Sequence, residues 1–314
     1  MKNFAITGVA GYVAPRHLKA IKETKNSLIA ACDPHDSVGI IDSYFPNTSF
    51  FTEIERFDRH LEKMRRYDKE NKLDFLSICS PNYLHDAHIR LALRLNANAI
   101  CEKPLVLKSS NINPLSVLEE ETGKKIYNVL QLRVHPAIIR FREEIQSTDT
   151  KEKFNIRLTY ITSRGPWYNY SWKGFLEKSG GIATNIGIHF FDMLIWIFGS
   201  VQEYKVFLNQ PNKMSGSIEL DNANVSWFLS TDRNDLPNTV QAKGDSSYRS
   251  ITYNGSEIDF SGGFTNLHTL VYQDILNGKG YGLLHALPSI ELVDGIRNAK
   301  ISSLDDMAHP FLNK

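Results

Sequence analysis

The stretch Phe4-Ala-Ile-Thr-Gly8-Val-Ala-Gly11-Tyr-Val-Ala14-Pro15 decides how the rest of the chain is read. A short apolar run ends in a glycine pair, and a helical pattern with Leu18 and Ile21 on one face follows from Pro15 to Thr24. Gly8 ends the strand, where a tight turn needs freedom in φ. Gly11 opens the helix, where a side chain would obstruct a pyrophosphate approaching the backbone N–H groups. Ala14 is small enough for helix and sheet to pack closely, and Pro15 fits a first helical turn, whose N–H groups lack intrahelical partners. The loop therefore reads as a dinucleotide-binding G-x-G-x-x-G with one extra residue between its first two glycines. Taken alone, a glycine pair after a strand fits a plain turn equally well.

Asp33 adds to the first reading. It ends the next strand, Ser27 to Cys32, nineteen residues after Ala14. A carboxylate there accepts hydrogen bonds from adenosine ribose hydroxyls and repels a 2′-phosphate, which favours NAD over NADP. Before Pro34 it also makes an ordinary turn residue.

Outward from this unit, short apolar strands alternate with helices. Strands are expected at Phe75–Cys79, Ala97–Cys101 and Ile126–Leu130, and helices around Asp58–Glu70, His85–Leu95 and Ile112–Glu121. Strands apolar throughout imply a parallel sheet covered on both faces, the doubly wound α/β arrangement, with ligands beyond the C-terminal strand ends. After about residue 150 the pattern changes. Phe154–Ile161, Val201–Leu208, Asn222–Ser230 and Ser250–Phe260 alternate apolar and polar residues, which implies an open, mostly antiparallel sheet in an α+β domain. An apolar helix, Ile186–Phe198, follows Gly180-Gly181, and two helices close the chain near Leu267–Leu276 and Leu284–Lys300. The expected division is a Rossmann domain over 1–128 and a second domain over 129–314.

Composition excludes some partners. With 36 basic and 35 acidic residues, no global field favours nucleic acid or a membrane surface. No apolar run is expected to approach the roughly eighteen residues of a membrane span. The N-terminus lacks a signal-peptide layout, so cytoplasmic residence is expected. Cys32, Cys79 and Cys101 lie in or beside apolar runs and read as buried small hydrophobes. No His-Glu-x-x-His is present, and the His85/His88 pair has no third ligand nearby in sequence, so no metal is expected. Gly-x-Ser-x-Gly is also absent.

Cys79-Ser-Pro-Asn-Tyr-Leu-His85, followed by Cys101-Glu-Lys-Pro-Leu105, resembles the Gfo/Idh/MocA oxidoreductase family. Val129-Leu-Gln-Leu-Arg-Val-His-Pro136, Ser163-Arg-Gly-Pro-Trp-Tyr168, Asp235-Leu-Pro237 and Ser179-Gly-Gly-Ile-Ala-Thr-Asn-Ile-Gly-Ile-His-Phe-Phe-Asp192 are similar to one of its branches. That branch oxidises C3 of UDP-2-acetamido-2-deoxy-D-glucuronate on the route to diacetamido-uronic acids of O-antigen lipopolysaccharide. The resemblance covers essentially the whole chain. It implies NAD as cofactor, a UDP-sugar as substrate, 2-oxoglutarate as reoxidant of NADH in some enzymes of the branch, and face-to-face packing of open sheets in a homodimer or homotetramer.

It also implies roles for individual residues. Oxidising a secondary alcohol requires a base for the hydroxyl proton and a cation for the developing alkoxide. The resemblance gives the first role to His189, one helical turn after Asn185, and the second to Lys103. A lone histidine is otherwise usually a core residue bonded to a carbonyl, and a lone lysine a solvated one. Asn185 stands where many relatives carry Asp; it cannot relay a proton but can hydrogen-bond substrate or cofactor. The expected cofactor contacts are Gly8, Gly11, Ala14, Asp33, Ser80, Asn82, His85, Glu102, Lys103 and Gln131, with Pro81 beside them. His85 could equally be an exposed helix-start residue. A diphosphate and a carboxylate need local cations, for which Arg133, Arg157, Arg164, Lys173 and Lys178 are candidates. Trp167, Tyr168 and Trp172 suit stacking on a uracil or sugar face, or packing in the core. Substrate contacts are thus expected at Lys103, Arg133, Arg164, Trp172, Lys173, Asn185 and His189. The alternatives are an oxidoreductase of the same family for another sugar or polyol, and a non-catalytic sensor of nucleotide or sugar.

Overall fold

The computed structural model describes residues 1–68, 70–150, 152–258 and 265–313. It forms two compact units: Met1–Val134 with Phe264–Leu287, and His135–Gly263 with Pro288–Lys314.

The first unit is built on a six-stranded sheet of β1 (Asn3–Thr7), β2 (Ser27–Cys32), β3 (Ser49–Phe51), β4 (Phe75–Ile78), β5 (Asn98–Cys101) and β6 (Ile126–Asn128), in the order β3-β2-β1-β4-β5-β6. Every pairing is parallel. The order reverses between β1 and β4, which sets the carboxyl ends of these two strands side by side: Thr7 pairs with Ile78, and Cys79 N–H donates to Thr7 O at 2.9 Å. In an open α/β sheet that reversal is where a ligand crevice opens. The helix Ala14–Glu23 buries Ala14, His17, Leu18 and Ile21, the spacing of one helical face, against Phe4 and Ile6.

The expected cut after residue 128 is corrected in two ways. The first unit runs on to Val134, and it takes back the later helix Leu267–Leu276. Leu267, Val271, Tyr272 and Ile275 of that helix join the core of Phe4, Leu18 and Ile21, with the rings of Phe4 and Tyr272 stacked 5.8 Å apart. Burying that apolar face is what recruits a segment distant in sequence. Within the first half, β3 was not expected, because three residues with no alternation carry no strand signal. The helix expected at Asp58–Glu70 runs instead from Ile54 to Tyr67.

The second unit holds β7 (Phe154–Thr162), β8 (Val201–Asn209), β9 (Lys213–Leu220), β10 (Ala223–Ser230), β11 (Ser247–Tyr253) and β12 (Ser256–Glu257), ordered β12-β11-β7-β10-β9-β8. β7 and β10 pair in parallel, and the other pairings between these strands are antiparallel. One face carries the helix Ile188–Phe198: Phe190 meets Tyr160 at 4.9 Å, Phe191 meets Trp227 at 5.4 Å and Phe198 meets Phe154 at 5.9 Å. On the other face Thr159 is covered by His309 of the C-terminal segment, its Oγ1 2.9 Å from Nε2.

Three expectations change here. β9 and the helix Pro136–Ser147 were not anticipated. The strand expected over Ser250–Phe260 is a hairpin turned by Asn254 and Gly255, with φ of 46° and 87°; Asn-Gly is the sequence signal for such a turn. Residues 259–260 of that expected strand lie outside the described residues. The stretch Leu176–Phe198 has 23 residues, and its most apolar 18-residue window has a mean hydropathy of 1.4, long and apolar enough to cross a bilayer, although its few charges broke the run as read from the sequence. Since 83% of its most apolar window is buried inside the fold, its hydropathy is that of a core segment.

Candidate active site

The glycine loop is shaped as a cradle. Gly8 has φ of +76°, and a Cβ there would lie 2.5 Å from the carbonyl of Cys79 and from Ser80 N. No other residue fits where the first turn passes the end of β4. At Gly11 a Cβ would stand 3.0 Å from Gly8 O, so the glycine also keeps the loop closed, through Gly11 N–H to Gly8 O at 3.0 Å. The helix starts at Ala14 with Pro15 in its first turn. Asp33 is tied to this loop: Oδ2 accepts the Ala10 N–H at 3.0 Å and Oδ1 accepts the His35 N–H at 2.9 Å. Each carboxylate oxygen retains acceptor capacity toward a diol. The hydroxyl of Thr7, at the end of β1, is buried with no hydrogen-bond partner among the described residues. A side-chain-free approach to backbone, a carboxylate at the end of β2 and an orphaned hydroxyl together fit a dinucleotide.

Beyond β4 and β5 two loops are stitched together by His85. Its Nε2 lies 2.8 Å from Ser80 O and its Nδ1 2.6 Å from Pro104 O, with 1% of the residue exposed. His85 does start a helix, His85–Arg94, but from a buried position, and it bridges the Ser-Pro-Asn and Glu-Lys-Pro loops. Burial lowers its pKa, against the two carbonyls, which raise it. Ser80 Oγ meets His88 Nδ1 at 2.9 Å, and Asn82 is buried at the start of the short turn Asn82–Leu84. Lys103 is half-buried in the loop after β5, and the two residues before it are held by Asn128, whose Nδ2 donates to Cys101 O at 2.9 Å and Glu102 O at 3.2 Å. Gln131 is half-buried and opens the turn Gln131–Val134.

Two expected ligand contacts have interior partners. Arg133 is buried within the first unit, donating to His285 O at 3.0 Å with its guanidinium 5.1 Å above the Tyr281 ring. Glu102 turns its carboxylate into the core, where Oε1 stands 2.9 Å from both His17 Nε2 and His268 Nε2. This group was invisible in sequence, since 85 residues separate His17 from Glu102 and 166 separate Glu102 from His268. The sequence offers His85 and His88 no third ligand; three potential ligand side chains meet elsewhere, at His17, Glu102 and His268.

In the second unit Asn185 sits in a π-helical turn, Ala183–Gly187, at the entry to the helix that carries His189. Such one-turn widenings of an α-helix are common at functional sites. Asn185 is buried and its Nδ2 lies 2.7 Å from Tyr168 OH, while His189 is half-buried. Burial raises the Tyr168 pKa, against the Asn185 hydrogen bond and the charge of Arg164. Lys173 lies 4.4 Å above the Trp172 ring and 5.6 Å from that of Trp167, and burial, then the charge of Arg164, lowers its pKa. Arg164 thus acts on both Tyr168 and Lys173, and Lys173 lies over Trp172: two cations with aromatic surface, of which Tyr168 reaches Asn185. Arg157 does not join them. It is exposed on the sheet face opposite the one that Tyr160 and Phe154 present to the helix. Lys178 is half-buried, 5.1 Å over the Phe175 ring. The Tyr168 hydroxyl was missed as a partner of Asn185, because no periodicity links positions 17 apart across a loop.

Comparison with known proteins agrees with this geometry. Residues 2–129 match the family model described as oxidoreductase family, NAD-binding Rossmann fold, and 152–234 match the C-terminal alpha/beta domain of the same Gfo/Idh/MocA family. The WlbA (WbpB) dehydrogenase from Thermus thermophilus, solved with NAD and alpha-ketoglutarate, is 48% identical with a TM-score of 0.95 over 99% of this chain and 100% of that one. Its complex with NAD and UDP-GlcNAcA gives 47% identity and 0.94 over the same shares. Inositol 2-dehydrogenase of Rhizobium meliloti (strain 1021) is 27% identical over 127 residues, and the match spans 40% of this chain and 37% of that protein's length.

Proposed function

We propose that this chain, which belongs to the Gfo/Idh/MocA oxidoreductase family and carries its NAD-binding domain, oxidises the C3 hydroxyl of UDP-2-acetamido-2-deoxy-D-glucuronate to the 3-keto sugar. One observation carries the reading: 47% identity over 99% of the chain to a dehydrogenase solved with NAD and UDP-GlcNAcA. NAD, when bound, supplies the hydride acceptor, and Gly8, Gly11 and Asp33 would hold it. On this reading His189 takes the hydroxyl proton as the C3 hydrogen leaves with its electron pair, and the Lys103 ammonium stabilises the oxygen as charge develops. Asn185, fixed by Tyr168, orients the sugar. Arg164 and Lys173 meet the anionic groups of the substrate, with Trp172 as a stacking surface. Reoxidation of NADH by 2-oxoglutarate, a cytoplasmic place in the synthesis of surface polysaccharide, and a homo-oligomer joined through the open sheets belong to the same proposal.

Mass spectrometry of sugar nucleotides incubated with the protein, NAD and 2-oxoglutarate tests it. The uronate should lose two hydrogens, UDP-N-acetylglucosamine should not, and Lys103→Ala should abolish the change. Failure to oxidise either sugar, by protein that binds NAD, would leave another substrate of the family or a sensor.

A further inference from the structure

The core of the first unit contains an ionised side chain that the proposed chemistry does not use. Glu102 is 7% exposed, and burying a carboxylate without partners costs several kcal/mol. Its partners are two imidazoles that contact the same oxygen, His17 Nε2 and His268 Nε2, each 2.9 Å from Oε1. The other carboxylate oxygen, Oε2, takes the backbone N–H of Lys103 at 3.3 Å. On the far side of His17, Nδ1 is 2.7 Å from Tyr272 OH, which is 2.6 Å from Ser77 Oγ.

These distances admit one consistent set of donors and acceptors, converging on the Glu102 carboxylate. A carboxylate only accepts, so both Nε2 atoms donate. Burial lowers the pKa of His17, leaving a neutral ring whose Nδ1 must accept. Tyr272 then donates to Nδ1 and accepts from Ser77. Burial pushes the Glu102 carboxyl up, but the hydrogen bonds from His17 and His268 outweigh it and hold the carboxyl well below the ordinary range. Every hydrogen along the path has an acceptor, and the path ends on the Lys103 main chain.

We propose that His17, His268 and Tyr272 are positioning residues: through Glu102 they fix the backbone at Lys103 and thereby aim its ammonium. The inference deepens the functional reading above and rests on it for the role of Lys103. A metal ion is the competing account of two histidines and a carboxylate. It fits less well. A zinc ligand nitrogen points at an ion about 2.0–2.1 Å away, whereas both Nε2–H directions here run to the carboxylate oxygen at hydrogen-bond length.

The test uses the full chain with three substitutions. His268→Leu removes one donor, His268→Gln restores an N–H at a similar reach, and Tyr272→Phe keeps the ring but ends the chain. Misplacing a reacting group by about 1 Å costs roughly a hundredfold in rate. His268→Leu should therefore lower kcat about 10- to 100-fold, with KM for NAD within about 3-fold. His268→Gln should recover most of the loss, and Tyr272→Phe should show a smaller one. Substrate deuterated at C3 separates positioning from a mere loss of folded enzyme. The isotope effect on kcat should rise in His268→Leu, because hydride transfer becomes slower than the steps around it. Hydrogen exchange at the Lys103 amide supplies a readout that needs no substrate: protection should fall in His268→Leu and return in His268→Gln.

An unchanged isotope effect together with unchanged Lys103 protection would overturn the proposal. So would one equivalent of zinc or iron in the purified protein that His268→Leu removes. If the wild-type protein oxidised no UDP-sugar while Lys103 protection still tracked the substitutions, the functional reading would fall and the positioning would stand.

Discussion

The two units hold their polar residues in different ways. In the first, the strand ends present short loops whose groups are fixed mostly by backbone: Gly8 against Cys79 and Ser80, Asp33 on the Ala10 and His35 amides, and His85 between the Ser80 and Pro104 carbonyls. In the second, Asn185 sits in a widened turn of an otherwise apolar buried segment, and the side chain of Tyr168 meets it at 2.7 Å. Backbone partners cannot be removed by a single substitution, whereas a side-chain partner can. The first arrangement should therefore be brittle toward changes of shape, and the second tolerant of shape but sensitive to loss of one group.

The largest effect tests that brittleness. Gly8→Ala places a methyl 2.5 Å from backbone atoms of Cys79 and Ser80, at a φ of +76° that alanine resists. Nothing on the far side is a flexible tip. Loss of NAD binding by at least about a hundredfold, or of soluble protein, is expected; titration of NAD by fluorescence together with a thermal melt reads both. A Gly8→Ala protein with native melting and affinity would show that the cradle is far softer than its contacts.

Glu102→Leu comes next. It leaves the N–H groups of two buried imidazoles without their acceptor, at about 1–3 kcal/mol each. Urea unfolding should show a loss on the order of 4 kcal/mol, and Glu102→Gln, which keeps one acceptor oxygen, should lose less.

Acid should weaken the first unit in a defined window. Burial, then the neighbouring His85, pushes the His88 pKa down to about 4 from its ordinary 6.5. Between those values the unfolded chain holds a proton on His88 that the folded one does not, so stability falls as the pH drops through them. The loss from this residue is on the order of 3 kcal/mol. Burial lowers His17 and His85 in the same direction. Unfolding free energies measured from pH 7 down to pH 4 should decline, and His88→Asn should flatten the decline. An unchanged slope in that variant would remove His88 from the account.

The smallest effect probes the second unit. Tyr168→Phe keeps the ring and removes the hydroxyl beside Asn185, with a loss of about 1 kcal/mol. If Asn185 orients the sugar, KM for the UDP-sugar should rise about 3- to 10-fold with KM for NAD unchanged. Equal changes in both would mean that Tyr168 supports the fold alone.

Legibility followed the same divide. The parallel sheet was readable because each of β1, β2, β4 and β5 is a short apolar run between turn residues, and because Gly8, Gly11 and Asp33 fall within one βαβ span. The open sheet was readable from alternation, with two errors of different origin. β9, Lys-Met-Ser-Gly-Ser-Ile-Glu-Leu, has Gly216 where alternation with Met214, Ile218 and Leu220 would need an apolar side chain. The hairpin of β11 and β12 was merged into one strand by passing over Asn254-Gly255.

Local pattern therefore determined the element types, the doubly wound first half, the cradle at Gly8 and the motifs around Lys103 and His189, because each depends on residues within about one turn or one strand of each other. It could not determine partners across the chain. The return of Leu267–Leu276 to the first core, the gathering of His17, Glu102 and His268, the interior placement of Arg133 and the Tyr168–Asn185 contact arise only when distant segments are packed together. Apolar burial drives that packing without direction. Which buried polar groups then meet is set by the fold as a whole, and each must find a partner once water has left.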